Sequence, residues 1–555
     1  MGVQIEWEKI QPNLKWTILS QQKGFAAWAI FTSIGSMMLG FDFGLAGTLT
    51  AFAPFQVQYG HPYAGTASGY LIRADIQSGW NGVSTVGDIV GIIISGYLLE
   101  WIGRKHTLGI GAILTAAGVG IQIGVQTWRG FLVGRFVNAT GFGIVFLVTP
   151  VFIGEVCRPE VRGTFLCIIN GSIVFGQLIL ALAANFCAMR TDKWSYQIMI
   201  LLQFVFCAIL LAGYPFFPDS PFYFLNRNQP EKARRSLNKI HGSSDQRLIE
   251  AELVRLQEMV KSTRQMQELA AESGPLMLQT FKGKNLKRTL TACLMAGAQQ
   301  LIGSAFVLGY ITYFMQLIHV SHYFTVSVVL FVIMLLSNIS AFFVIEYVGR
   351  RKLLLYGVIG LTLTELLMGI MGCINASGAI WVILVSIFLW AIIYQMSVGA
   401  VGFALAAEIP TARLRPATMS LVGFTQGATY VCTHPRRLRN SGKLICSSGW
   451  TIGFVVPYMI NPDAGNLGAK VGFVFFGLGI PLSIAFFFLV PETRSLSFEE
   501  LDHLYNNKVS PRKFQQVILV EREQEAELGV MEHGKPDRAV VSEVEKCAPP
   551  LGQGP

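Results

Sequence analysis

Apolar positions along the chain gather in long runs separated by short polar turns. A membrane-spanning helix needs roughly 20 apolar residues, because it rises about 1.5 Å per residue through a hydrocarbon layer about 30 Å thick. Runs of that length fall at 25–46, 78–99, 107–126, 131–153, 165–187 and 196–217. A polar stretch follows at 218–287. Then come 289–315, 324–346, 353–373, 379–405, a broken run at 417–460, and 470–490. The pattern predicts an all-α membrane protein of twelve transmembrane helices in two six-helix bundles. The bundles occupy residues 25–217 and 288–490, with 1–24 and 491–555 as tails. The tail beyond 506 is polar and reads as disordered.

Two amphipathic stretches interrupt the polar loop. Residues 230–240 carry Glu231, Lys232, Arg234 and Arg235 on an exposed face. Residues 246–262 align Ile249, Leu253, Leu256 and Val260 on one side, with Asp245 placed to cap the helix. The loop is read as helical, with a solvated linker as the plainer alternative.

Composition agrees with the lipid reading. Of the 555 residues, 52% are hydrophobic and 14% charged, with a mean hydropathy of +0.49. A soluble domain carries about 25% charged residues. A water-soluble enzyme, a disordered chain and a disulfide scaffold are therefore set aside. The nine cysteines show no C-x-x-C and no metal-ligand spacing, so neither a metal nor a cofactor is expected. The net charge of +10 lies between apolar runs rather than in one basic stripe, which argues against nucleic acid. Instead it sets topology, since Lys and Arg are retained on the cytoplasmic side. Arg104 and Lys105, Arg158 and Arg162, Arg350 to Lys352, and Arg413 and Arg415 mark one set of loops. The opposite loops, with Arg73, Arg129, Arg190, Lys193 and Lys470, are poorer. Both termini and the loop at 218–287 are then expected in the cytoplasm. Glu6, Glu8, Lys9, Lys15 and Lys23 precede a first run long enough to span, so no cleaved leader is expected.

The two halves repeat one another. Glu100-x-x-Gly103-Arg104-Lys105 after the second run matches Glu346-x-x-Gly349-Arg350-Arg351 after the eighth. Glu155 and Arg162 are spaced like Glu408 and Arg415. Pro218-Asp219-Ser220 ends the sixth run as Pro491-Glu492-Thr493 ends the twelfth. Parallel halves with a substrate site between them describe one transporter architecture. Glu100, Arg104, Glu155, Arg162, Glu346, Arg350, Glu408 and Arg415 are read as a charge network that holds an inner gate closed. Asp42 lies deep in the first run, and an ionisable group there is a functional candidate by default. Arg135, near the start of the fourth, is its expected partner.

These features carry a resemblance to the sugar porter family of the major facilitator superfamily, nearest to its fungal branch of α-glucoside (maltose-type) proton symporters. It rests on Gly40-Phe41-Asp42-Phe43-Gly44, Gly103-Arg104-Lys105, Gly134-Arg135 and Glu155 through Gly163. It continues through Gln177, Pro218 to Pro221, Gln299-Gln300 with Gly303, Gly349 to Arg351, Glu408 through Arg415, and Pro491-Glu492-Thr493. The resemblance implies a proton-coupled sugar importer in the plasma membrane, with Asp42 and Arg135 as the coupling pair. It places Gln177, Gln299, Gln300, Ser304 and Gln426 at the sugar hydroxyls, where an amide both donates and accepts. Phe306, Tyr310, Tyr394 and Phe403 are the aromatic candidates, each with core packing as its alternative. It also implies that the cytoplasmic loop braces the inward gate. Ala305, Ala400 and Phe403 replace the family's usual Asn, Pro and Trp. These departures lean away from a glucose-type site toward a different sugar, such as a disaccharide. A facilitator without proton flow and a non-transporting sugar sensor stand as the other readings. The oligomeric state is not readable.

One segment breaks the pattern. The eleventh run is interrupted by Pro435, Arg436, Arg437, Arg439 and Lys443, a composition very unfavourable in mid-bilayer. Glu155 precedes Pro218 by 63 residues and Glu408 precedes Pro491 by 83, and the excess of 20 is close to the 18 residues of 431–448. Without them Tyr430 joins Gly449-Trp450 in a continuous span. Val431-Cys432 can be encoded by GTATGT, a common start of fungal introns. The segment is therefore read as translated intron sequence. Sequencing the mature transcript should show codons 431–448 absent, and a message that keeps them removes this explanation.

Overall fold

The computed structural model describes residues 23–520, apart from 65, 67, 158, 242–245, 273–278, 375, 412–413, 415–417, 419–420, 423–424, 426–448, 494–495, 497 and 508. Among the described residues the fold is helical, save for one hairpin of two-residue strands. The first half holds α1 (Lys23–Thr50), the short α2 (Ala53–Tyr59), α3 (Ala74–Trp101), α4 (Gly103–Gly124), α5 (Trp128–Val156) and α6 (Pro159–Cys187). Its sixth crossing is split into α7 (Trp194–Leu201) and α8 (Gln203–Gly213). Between α2 and α3, strand β1 (His61–Pro62) pairs antiparallel with β2 (Tyr70–Leu71).

The polar loop forms α9 (Pro221–Asn226), α10 (Pro230–His241) and α11 (Gln246–Glu272). The predicted apolar faces meet in a small core of their own, where Ala233 and Leu237 pack with Ile249, Leu256 and Val260. Asp245, the expected cap, lies outside the described residues. Arg255 ties this layer to the first bundle by donating to the carbonyl of Val156 at 3.5 Å.

The second half begins with α12 (Gly283–Leu301) and α13 (Ser304–Leu317), one crossing broken at Gly303. There follow α14 (Tyr323–Val348), α15 (Arg350–Met371) and α16 (Ser377–Tyr394). The last continues through a wide turn at Gln395–Gly399 into α17 (Ala400–Glu408). Then come α18 (Gly449–Ile460), α19 (Val471–Leu489) and α20 (Phe498–Asn506). Among the described residues, eleven helical crossings are long and apolar enough to span a membrane. Of the predicted eleventh span only α18 is described as a helix of length. The tail is ordered further than the sequence suggested. Leu501, Leu504, Phe514 and Ile518 are buried, so apolar spacing holds the chain to 520.

The repeat has one physical basis in both halves. Gly103 and Gly349 adopt φ of +87° and +90°, which lets α3 turn into α4 and α14 into α15 without a connecting loop. Each turn exposes the first amides of the next helix, and an acid from the end of the half meets them. Asp219 accepts from the Arg104 amide at 2.8 Å. Glu492 accepts from the amides of Arg350 and Arg351 at 2.9 and 3.1 Å. A side chain on Gly103 would both strain the backbone and meet the Asp219 carboxylate, its Cβ 2.9 Å from Cγ. Gly103→Val is expected to destabilise by about 1–3 kcal/mol and lower the melting midpoint of detergent-purified protein. Gly96→Ala, where a Cβ meets nothing within 4 Å, should leave that midpoint unchanged.

Candidate functional site

Asp42 and Arg135 meet inside the first bundle. Asp42 on α1 is 6% exposed and Arg135 on α5 is 3% exposed. Arg135 Nη1 donates to Asp42 Oδ1, and its Nε donates to Ser84 Oγ on α3 at 3.0 Å. The approach of α3 to α5 depends on Gly87-x-x-x-Gly91. A Cβ at Gly87 would stand 2.7 Å from the Phe136 carbonyl, and one at Gly91 would press on the backbone of Thr140. Small residues at this spacing let two helix backbones close up in lipid.

The same packing brings in an acid that sequence reasoning passed over. Asp88 follows Gly87 on α3 and lies in the field of both Asp42 and Arg135. Its Oδ1 is buried without a hydrogen-bond partner. Two carboxylates thus lie in the field of one guanidinium. The signal was present, since Asp88 is an ionisable residue within the second apolar run, as Asp42 is within the first. Glu365, within the ninth, carries the same signal.

At the end bearing the Gly-Arg turns, here called the basic end, the charges pair within each bundle. Arg104 pairs with Glu155 and also donates to the Leu99 carbonyl at 3.1 Å. Arg350 lies 3.8 Å from Glu408, which accepts from Thr493 at 2.6 Å. Glu100 sits apart, exposed, with Arg227 reaching towards its carbonyl. Arg162 and Glu346 lie on α6 and α14, but their side chains fall outside the described set, as does the whole of Arg415.

The polar residues expected at a sugar cluster in part at the α12–α13 break. Gly303 there has a φ of +79°. Gln299 donates to the Val398 carbonyl at 3.3 Å. Ser304 Oγ donates to Gln300 Oε1 at 3.4 Å and also meets the Tyr394 hydroxyl. Gln177 on α6 is buried, and its side-chain oxygen has no partner. Tyr310 on α13 receives a hydrogen bond from Asn81 on α3, so it lies between the bundles. Phe306 instead packs against Phe314 and Phe475 in the second bundle. The Phe403 side chain and all of Gln426 lie outside the described residues.

The end opposite the basic one is closed by polar contacts between bundles. The Ala74 amide, at the start of α3, donates to Asp463 Oδ2 at 3.1 Å. Asn461 donates to the Ile72 carbonyl at 2.9 Å and to Asp463 Oδ1 at 2.7 Å. It accepts from Tyr313 and, at 3.4 Å, from Gln77. Ser78 donates to the Phe454 carbonyl at 2.7 Å, and Thr325 to Asn185 at 2.8 Å. Asn170 reaches Gln395 at 3.3 Å near mid-depth.

The family model described as "Sugar (and other) transporter" matches residues 28–434 and 433–505. An MFS transporter of Aspergillus fumigatus, fmqE, is 29% identical over 88% of this chain and 86% of its own. A general alpha-glucoside permease of Saccharomyces cerevisiae is 27% identical over 92% of this chain and 80% of its own. The structure of the proton:xylose symporter XylE bound to 6-bromo-6-deoxy-D-glucose shares the fold, with a TM-score of 0.65 and 19% identity. That match covers 87% of this chain and 99% of XylE.

Asn461 joins four partners at the closed end, so Asn461→Ala should weaken that closure by about 1–3 kcal/mol. Spin labels at positions 64 and 464, exposed on either side of the closure, should then show a longer-distance population that the parent protein lacks. An unchanged distance distribution would mean that Asn461 does not hold this end shut.

Proposed function

The chain belongs to the sugar (and other) transporter family, and from that premise we propose that it imports a sugar together with a proton by alternating access. It is a multi-pass membrane transporter of the major facilitator fold and not an enzyme. The observation that carries proton coupling is the buried Asp42–Arg135 pair, with Asp88 beside it and one Asp88 oxygen unpartnered. A proton on Asp42 cancels the attraction that holds Arg135 there. The guanidinium can then turn to Asp88. The proton thereby changes how α1, α3 and α5 are tied.

The sugar binds between the bundles. Gln177, Gln299, Gln300 and Ser304 meet its hydroxyls, with Gln426 completing the set. Tyr310, Tyr394 and Phe403 meet its apolar faces. The favoured substrate is an α-glucoside such as maltose, with a hexose as the alternative. Ala305, Ala400 and Phe403 support this, as does the likeness to a general alpha-glucoside permease. The Arg104–Glu155 and Arg350–Glu408 pairs, together with Glu100, Arg162, Glu346 and Arg415, form the inner gate's charges. The basic end faces the cytoplasm with both termini, and the membrane is the plasma membrane. On that orientation the polar closure lies at the outer end.

Residues 431–448 are absent from the working protein in this reading. Support comes from the repeat spacing and from the family match, which divides at 433–434 within that segment.

The test is uptake of labelled maltose and glucose, in cells lacking their own sugar carriers, by the chain without 431–448. Uphill uptake that needs an imposed proton gradient is expected, with maltose preferred. Asp42→Asn should abolish accumulation while exchange of sugar across the membrane persists in part. Accumulation unchanged by Asp42→Asn would sink the coupling role. Gradient-independent equilibration would make the protein a facilitator, and no uptake from a chain shown at the surface would favour a sensor.

A further inference from the structure

Behind the α12–α13 break lies an acid that the coupling site does not use. Glu365 on α15 is 4% exposed. Its Oε1 lies 3.3 Å from the indole Nε1 of Trp390 on α16, and the same N–H reaches the Ile302 carbonyl at 3.1 Å. That carbonyl belongs to the break itself. The Phe306 amide, which would serve it in a continuous helix, bonds to Gly303 instead at 3.0 Å. Trp390 thus supplies the donor that the broken helix withdraws, as membrane depth requires. Glu365 also lines a small cavity with Gly303, Thr364, Ser386 and Phe475, and its Oε2 is buried without a partner.

Trp390 faces the sugar-site residues as well. Its ring stacks on Tyr394 at 4.8 Å with planes 7° apart. Tyr394 meets Ser304, and Ser304 bonds to Gln300. A single indole therefore touches the break on one edge and a candidate sugar aromatic on its face. One N–H to Ile302 leaves the ring free to swing about that bond. A second acceptor from another helix, Glu365 Oε1 on α15, fixes its plane.

We propose that Glu365 is a positioning residue of the sugar site, holding the Trp390 indole and, through it, both the α12–α13 break and the plane of Tyr394. This rests on the reading of Gln300, Ser304 and Tyr394 as sugar contacts. The chain gains its rigidity from the second bundle, where Glu365 is anchored, and delivers it to the surface between the bundles.

The experiment measures KM and Vmax for sugar uptake, corrected for surface copies, in the chain without 431–448. Glu365→Ala should raise KM about five- to tenfold, the equivalent of about one lost hydrogen bond, and by more than any fall in Vmax. Glu365→Gln keeps an acceptor in the same volume and should bring KM back to within about twofold of the parent. Trp390→Phe keeps the stack but loses the N–H to both Glu365 and Ile302, and should raise KM at least as much as Glu365→Ala does. The double variant Glu365→Ala with Trp390→Phe should be no worse than Trp390→Phe alone, because Glu365 acts only through the indole N–H. An unchanged KM in Trp390→Phe overturns the proposal even where Glu365→Ala fails to reach the surface. Failure of Glu365→Gln to restore KM overturns it too. No sugar uptake by the parent chain would instead overturn the sugar reading, and this inference with it.

Discussion

A hydrocarbon layer offers a polar group no water to bond, so other parts of the chain have to supply its partners. That constraint explains the arrangement of α1, α3 and α5. Arg135 lies at a depth where an unmatched charge is costly, and Asp42 and Ser84 come from two other helices to meet it. The helices can converge because Gly87 and Gly91 bring α3 against the α5 backbone. The α12–α13 break follows the same logic. Its freed Ile302 carbonyl is met by Trp390 from another helix. Function and architecture share these contacts, since a group that a neighbour must satisfy is also one that moves when the neighbour moves.

The two halves solve one turning problem with slightly different parts. Asp219 meets the start of α4 through one carboxylate oxygen, while the longer Glu492 spreads two oxygens over the amides of Arg350 and Arg351. The surroundings also differ. The first half carries the layer of α10 and α11 at its basic end. The second is held at its own basic end by Arg288 of α12, which pairs with Asp502 and lies 4.2 Å over the Tyr505 ring of α20. The repeat is therefore a repeat of crossings and turns, with separate accessories on each half.

Hydropathy made the crossings legible because a run of twenty apolar residues has few other uses. The matched Gly-Arg and Pro-acid pairs made the two halves legible. The job of Asp219 and Glu492 was not, since nothing in Pro-Asp-Ser says that its acid reaches amides more than a hundred residues away. The break at Gly303 was also hidden, because a window of hydropathy is blind to φ. Glu100 is exposed beside Trp101, a position that its spacing to Gly103 does not reveal. Asp88 and Glu365 could have been found by the rule that singled out Asp42. They lacked the flanking motif that drew attention to Asp42, and only packing shows that Asp88 shares Arg135 while Glu365 stands apart. α2 and its hairpin were too short and too mixed to register as elements.

The closure at the end away from the basic turns joins many amides, hydroxyls and carbonyls with an aromatic contact of Phe52 on Phe324 at 4.8 Å. Hydrogen bonds of this kind trade for bonds to water at a small net difference. Wetting can undo such a closure one bond at a time, with each step nearly level with the last. An apolar plug would have to part all at once. The polar rim therefore gives the molecule a door that stays shut through fit and swings without first having to be unstuck.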